Sequence, residues 1–120
     1  MHPTVVLNVV GLTPGMLGPH TPNLSRLAEQ GVARPLQTIT PAVTSSVQAT
    51  FVTGALPREH GVVANGWYFR DLSEILFWRQ SNRLVSGEKL WETARRRNPD
   101  FTCAKLFWWH NMNASADFAI

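Results

Sequence analysis

Thr40-Pro41-Ala42-Val43-Thr44-Ser45-Ser46-Val47-Gln48-Ala49-Thr50-Phe51-Val52-Thr53-Gly54, followed by Ala55-Leu56-Pro57-Arg58-Glu59-His60-Gly61, decides the reading of this chain. Three consecutive hydroxyl residues stand where a loop gives way to a helix over Val43 to Thr53, and Gly54 closes that helix. A helix start leaves backbone N–H groups unpaired and carries the positive end of the helix dipole. A phosphate can sit there and be attacked by a neighbouring hydroxyl. The same hydroxyls can equally serve only as caps. Within the helix, Val47 and Phe51 are expected to turn inward.

Upstream, Thr4 to Val10 is β-branched and apolar apart from Asn8, which reads as a buried strand of a parallel sheet. Gly11 to Pro19 is a loop leaving that strand's C-terminal end, where ligands gather in open α/β sheets. Thr21 to Gly31 carries helix punctuation: Thr21 at the N-cap, Pro22 at the first position and Gly31 past the end. Leu24, Leu27 and Ala28 share its apolar face. Val32 to Ile39 is the next candidate strand, bent or at an edge because of Pro35.

Downstream, Pro57 to Gly61 is a turn, and Asn65-Gly66 is a turn signal inside Val62 to Phe69. Ser73 to Val85 mixes strand-like and polar residues and is ambiguous. Ser86 to Arg97 reads as a helix capped by Ser86, with apolar Leu90, Trp91 and Ala94, and Pro99 stops it. Phe101 to Trp109 reads as another buried strand, with His110, Asn111 and Asn113 at its C-terminal end. The alternation gives an α/β fold, a mostly parallel sheet flanked by helices. Ala114 to Ile120 has no stop signal and few strands accumulate, so residues 1–120 are expected to be one incomplete domain.

Composition bounds the function. The net charge is +3, from 11 Lys and Arg against 8 Asp and Glu. The one tight basic run, Arg95-Arg96-Arg97, falls at a helix C-terminus and reads as a solvated, dipole-compensating face rather than a nucleic-acid surface. No segment approaches the roughly 18 apolar residues of a membrane span, and no export signal is evident, which points to a cytoplasmic protein without membrane partners. Cys103 stands alone, which rules out an intrachain disulfide and a cysteine-based zinc cluster. Five Trp imply large packing surfaces or a ligand cleft, and packing is the simpler reading of Trp67-Tyr68-Phe69 and Trp108-Trp109.

Thr21-Pro22-Asn23-Leu24, Pro41-x-x-Thr44, Ala49 to Gly54 and Pro57-x-x-His60-Gly61-Val62-Val63-x-Asn65 occur in one order at close spacing. This resembles the type I phosphodiesterase / nucleotide pyrophosphatase family of the alkaline phosphatase superfamily, over about Val5 to Asn65. The resemblance implies the N-terminal part of an alkaline-phosphatase-like domain and hydrolysis of a phosphodiester or pyrophosphate bond. Its substrate would be a phosphorylated small molecule, a nucleotide among the candidates. The family's nucleophilic Thr falls on Thr44, and a pair of divalent metals, usually zinc, would polarise the phosphoryl group and hold that Thr. Asn8 is the substitute metal residue, because Val10 stands where the family's first strand ends in a metal-binding Asp. Val47 stands where many relatives have a phosphate-donating Asn, and Gln48 is the candidate to cover that role. Asn65 is the second substrate-binding residue implied. His60 reads as structural, His110 as a residue able to line the cleft, and Asp117 as a carboxylate without a partner. The rival readings are a non-catalytic relative that binds a phosphorylated ligand or partner, and an inactive fragment.

Overall fold

The computed structural model describes residues 2–120. The chain divides into two units, one ending at Gln37 and the other spanning Thr38–Ile120. In the first, a short 3-10 turn at Pro14–Met16 precedes α1 (Pro22–Gln30). Pro22 and Gly31 bound α1 as their backbone restrictions dictate. Thr21 flanks the helix start, but its hydroxyl does not cap α1. Instead it accepts from the Gly18 N–H at 3.0 Å and donates to the Met16 carbonyl at 2.8 Å, tying the preceding loop shut. Leu24 and Ala28 are half-buried, while Leu27 stays exposed.

The expected strand over Thr4 to Val10 is not formed. Its side chains lie in the open, Val5 at 80 % and Leu7 at 79 % exposure, and the backbone pairs with no neighbour. Val32 to Ile39 likewise pairs with no neighbour, and its side chains are exposed except for half-buried Ile39. An extended apolar run becomes a strand only when another strand satisfies its N–H and C=O groups. Among the described residues neither run has one.

The second unit is built around α2 (Thr44–Thr53), the single turn α3 (Pro57–His60), and α4 (Leu90–Arg97). Two strand pairs join them. β1 (Gly66–Phe69) and β2 (Glu74–Phe77) form an antiparallel hairpin, with Trp67 opposite Leu76 and Tyr68 opposite Ile75. The hairpin turn lies between Phe69 and Glu74, so Asn65-Gly66 is a bend leading into β1 rather than the hairpin turn. β3 (Ala104–Lys105) and β4 (Phe118–Ala119) pair in parallel. The described residues therefore have the expected α/β mixture of helices and strands but not a mostly parallel sheet. The apolar runs expected to supply its strands are unpaired or, as in Phe101 to Trp109, paired over only two residues.

Gly54 ends α2 in the left-handed region at φ 66°, and its N–H reaches the Thr50 carbonyl at 2.8 Å. The buried face of α2 is Ser45, Gln48, Ala49 and Val52, the i, i+3, i+4, i+7 stripe of a helix. Ala49 packs with Val62 and Val85, and Trp67 covers them. This reverses the expected inward face, because Val47 is only half-buried and Phe51 is 43 % exposed. Phe51 instead meets the Trp108 ring edge-on, with centroids 6.3 Å apart. Burying Ser46 and Gln48 is tolerable because each has a hydrogen-bond partner.

α4 begins three residues later than a cap at Ser86 suggested, with Lys89 in the N-cap position. The Lys89 N–H donates to Glu92 Oε2 at 2.8 Å, which satisfies one open donor at that start. Trp91 is the buried residue of α4, and its Nε1 donates to Ser115 Oγ at 2.9 Å. Asp117 is not a free carboxylate: it accepts from the Cys103 N–H and from Arg95 Nη2, both at 2.8 Å. No helix among the described residues is long and apolar enough to cross a membrane.

Candidate functional site

The start of α2 holds the three consecutive hydroxyls, and the structure sorts them. Ser46 Oγ donates into the loop before the helix, 3.0 Å from the Pro41 carbonyl oxygen and 3.2 Å from that of Val43. Ser45 is 1 % exposed. Thr44, at the first helical position, is half-buried, and its hydroxyl makes no hydrogen bond among the described residues. Of the three, it is the hydroxyl open to a ligand.

The N–H groups of this turn are also unequal. Val47 N–H makes the first helical bond, to the Val43 carbonyl at 3.0 Å. Ser45 N–H donates to Asn65 Oδ1 at 2.9 Å, so Asn65 caps α2 from 20 residues away. The N–H groups of Thr44 and Ser46 have no partner among the described residues. As unpaired donors of the first turn they carry the positive end of the helix dipole next to Thr44, although Ser46 itself is 0 % exposed.

Two side-chain amides border the turn. With Oδ1 of Asn65 held by Ser45, its Nδ2 is left without a hydrogen bond among the described residues. Gln48, one helical turn beyond Thr44, is 8 % exposed, and its Oε1 accepts from the Trp109 N–H at 2.6 Å. Its Nε2 likewise has no partner among the described residues. Asn65 thus contacts the first turn of α2 beside Thr44, and Gln48 lies one helical turn further along the same helix. Nothing in the pattern of residues pointed to Trp109, because its contribution is a main-chain N–H.

Asn8 belongs to the first unit, is exposed, and makes no hydrogen bond there. Zinc takes thiolates, imidazoles and carboxylates, typically four donors, with three protein ligands at an open site. Among the described residues no three His, Cys, Asp or Glu side chains gather to hold a metal. A neutral hydroxyl on Thr44 and a neutral amide on Asn8 are poor donors for such ions. The residues present do not fit the two-zinc centre.

The histidines are otherwise employed. His60 Nδ1 accepts from the Val62 N–H at 3.1 Å, which leaves the proton on Nε2 to donate to Thr50 Oγ1 at 2.9 Å. Burial keeps its pKa below the usual value, so the ring is a neutral strut between α2 and α3. His110 is 2 % exposed, and both of its ring nitrogens lack a hydrogen-bond partner. Burial, with Lys105 close by, pushes its pKa down to about 4. It lies inside the unit rather than lining an open cleft.

The aromatic residues pack on one another. Trp67 stacks on Phe69 with centroids 5.1 Å apart, and Trp78 meets Trp109 edge-on at 5.2 Å. Arg79 and Arg83 are exposed.

Compared with known protein families, residues 4–120 match the type I phosphodiesterase / nucleotide pyrophosphatase model. No curated protein matches the chain.

Proposed function

The chain belongs to the type I phosphodiesterase / nucleotide pyrophosphatase family, and we propose that it hydrolyses a phosphodiester or pyrophosphate bond with Thr44 as nucleophile. The substrate is a phosphorylated small molecule, with nucleotides as the first candidates. The observation that carries this reading is the sorting of the three hydroxyls. Ser45 is 1 % exposed, Ser46 is engaged, and Thr44 is half-buried with its hydroxyl unpaired, beside two N–H groups without a partner among the described residues.

In the proposed reaction Thr44 Oγ1 forms a bond to phosphorus as the bond to the leaving oxygen breaks. The Thr44 proton passes to solvent water, and the leaving group departs with the electron pair of the broken bond and takes a proton from water. Water then attacks the phosphothreonine and restores the hydroxyl. The N–H groups of Thr44 and Ser46 offset the charge on the phosphoryl oxygens, with the amides of Asn65 and Gln48 as further donors. No carboxylate or imidazole among the described residues hydrogen-bonds the Thr44 hydroxyl, so its proton is not removed through such a contact.

A second reading is a relative that binds a phosphorylated ligand or partner without cleaving it. Val10 and Val47, standing where the family carries polar residues, favour it, as does the poor fit to metals. Hydrolysis of a chromogenic phosphodiester by the chain and by Thr44→Ala separates the two. The hydrolase reading expects turnover that Thr44→Ala abolishes. Equal rates in the two proteins would remove Thr44 as nucleophile, and inorganic phosphate binding without turnover favours the binding protein.

A further inference from the structure

We propose that the main-chain N–H of Trp109 is a positioning group for this site. By holding Gln48 Oε1 it turns Gln48 Nε2 toward the first turn of α2, where that NH2 donates to a phosphoryl oxygen beside Thr44. The inference rests on the reading of the α2 start as a phosphate site, and it adds the segment around Trp109 to it.

Gln48 is more than nine-tenths buried, and the Trp109 N–H lies 2.6 Å from its Oε1. An N–H can only donate, so the acceptor end of the amide faces Trp109 and the donor end faces away. That donor end has no partner among the described residues and is not sealed from solvent. Residues four apart share a helix face, and helical side chains lean toward the N-terminus. The Gln48 amide therefore lies over the turn that carries Thr44.

The chemistry of the ligand follows from the groups left without a partner among the described residues. Gln48 Nε2, Asn65 Nδ2 and the N–H groups of Thr44 and Ser46 are all donors. A set of donors around a positive dipole end suits the oxygens of an anionic phosphoryl group and repels a cation.

The segment that carries the clamp is held on several sides. Trp108 Nε1 donates to the Gln48 carbonyl at 3.4 Å, and Trp109 Nε1 to the Arg79 carbonyl at 3.1 Å. The His110 carbonyl accepts from Lys105 Nζ at 2.6 Å and from Asn82 Nδ2 at 3.0 Å. Phe107 and His110 sit in the left-handed region, at φ 53° and 56°. Residues with a Cβ hold that conformation only where surrounding contacts impose it. Lys105 is buried without a carboxylate partner among the described residues, and its ammonium anchors this segment instead. Lys105 is thus a second positioning residue, acting through the main chain of His110.

The test titrates inorganic phosphate into the whole chain and follows hydrogen exchange of the Trp109 amide by NMR. Gln48→Glu keeps an oxygen acceptor for Trp109 but replaces the donor. It is expected to preserve Trp109 protection, which also reports an intact fold, while phosphate binding weakens at least tenfold. Gln48→Met is expected to lose both, and Lys105→Met to reduce Trp109 protection and phosphate affinity together. Wild-type phosphate affinity in Gln48→Glu, or unchanged Trp109 protection in Gln48→Met, overturns the assignment. Loss of both properties in Gln48→Glu overturns the division of the amide into clamp and donor. A wild-type chain that fails to bind phosphate removes this inference and the phosphate-site reading together. Phosphate binding without phosphodiester turnover removes only the hydrolase reading and leaves the donor assignment standing.

Discussion

Asn65 Oδ1 accepts the Ser45 N–H at 2.9 Å, so the helix that carries Thr44 is capped by a residue from the bend before β1. A helix normally draws its cap from the residue before its first turn, but Val43 in that position has no side-chain acceptor. The Asn65 side chain therefore has two ends with two tasks. Its oxygen stabilises α2, and its nitrogen has no hydrogen-bond partner among the described residues.

Replacing Asn65 by Ala is expected to destabilise the chain by ~0.5–2 kcal/mol, the usual cost of losing a cap. Asn65→Asp keeps the acceptor and adds a charge favoured at a helix start, so stability is retained. The same variant lacks the NH2 and places a negative charge beside the phosphate, so phosphate binding falls. Urea midpoints and phosphate titrations on both variants check this. A drop in both properties for Asn65→Asp would contradict the two-ended role.

Among the described residues Thr50 Oγ1 is the one hydrogen-bond partner of His60 Nε2, in a part-buried contact between α2 and α3 whose imidazole side is buried. Thr50→Val conserves shape but leaves that ring N–H without an acceptor. An unsatisfied buried donor costs about 1–3 kcal/mol, so the urea midpoint of Thr50→Val should fall accordingly. A midpoint equal to wild type would mean that the His60 ring finds another acceptor.

His110 sets a pH dependence whose sign is fixed. Its pKa is pushed down to about 4 in the folded chain, against 6.5 for an ordinary histidine. Between those values the unfolded chain binds the proton more readily, so stability falls as pH drops from about 6.5 toward 4. Lys105 and His60 are the charged and titratable neighbours that act on the ring, and His60, also lowered by burial, works in the same direction. His110→Phe removes the titration and should flatten the acid limb of a stability curve taken by urea unfolding from pH 7 to 4. An acid limb of undiminished slope in His110→Phe would assign the effect to other groups.

Ser115 links α4 to the segment before β4, accepting from Trp91 Nε1 and donating to Glu92 Oε1. In Ser115→Ala the indole N–H of a buried Trp is left unpaired, with an expected loss of about 1–3 kcal/mol. Trp fluorescence during unfolding measures it. Ser115→Thr, which restores the hydroxyl, should recover most of that loss.

Local rules were enough for much of the chain. Pro22 and Gly31 marked α1, and Gly54 marked the end of α2, because each acts through its own backbone freedom within one or two residues. The motif from Thr21 to Asn65 pointed to the family that the comparison with known families shows. The same local reasoning failed for Thr4 to Val10 and Val32 to Ile39. Apolar character there describes a preference for burial, whereas a strand also needs a partner.

The sequence by itself determined where a hydroxyl-rich helix begins, where it ends and which family the chain resembles. Those properties depend on residue types at fixed short spacings. The tertiary structure alone decided which hydroxyl is open, that Asn65 caps α2 from 20 residues away, and that Trp109 holds Gln48 from 61 residues away. A main-chain N–H is common to every residue except proline, so its partner is set by how the segments pack and not by the identity of the side chain.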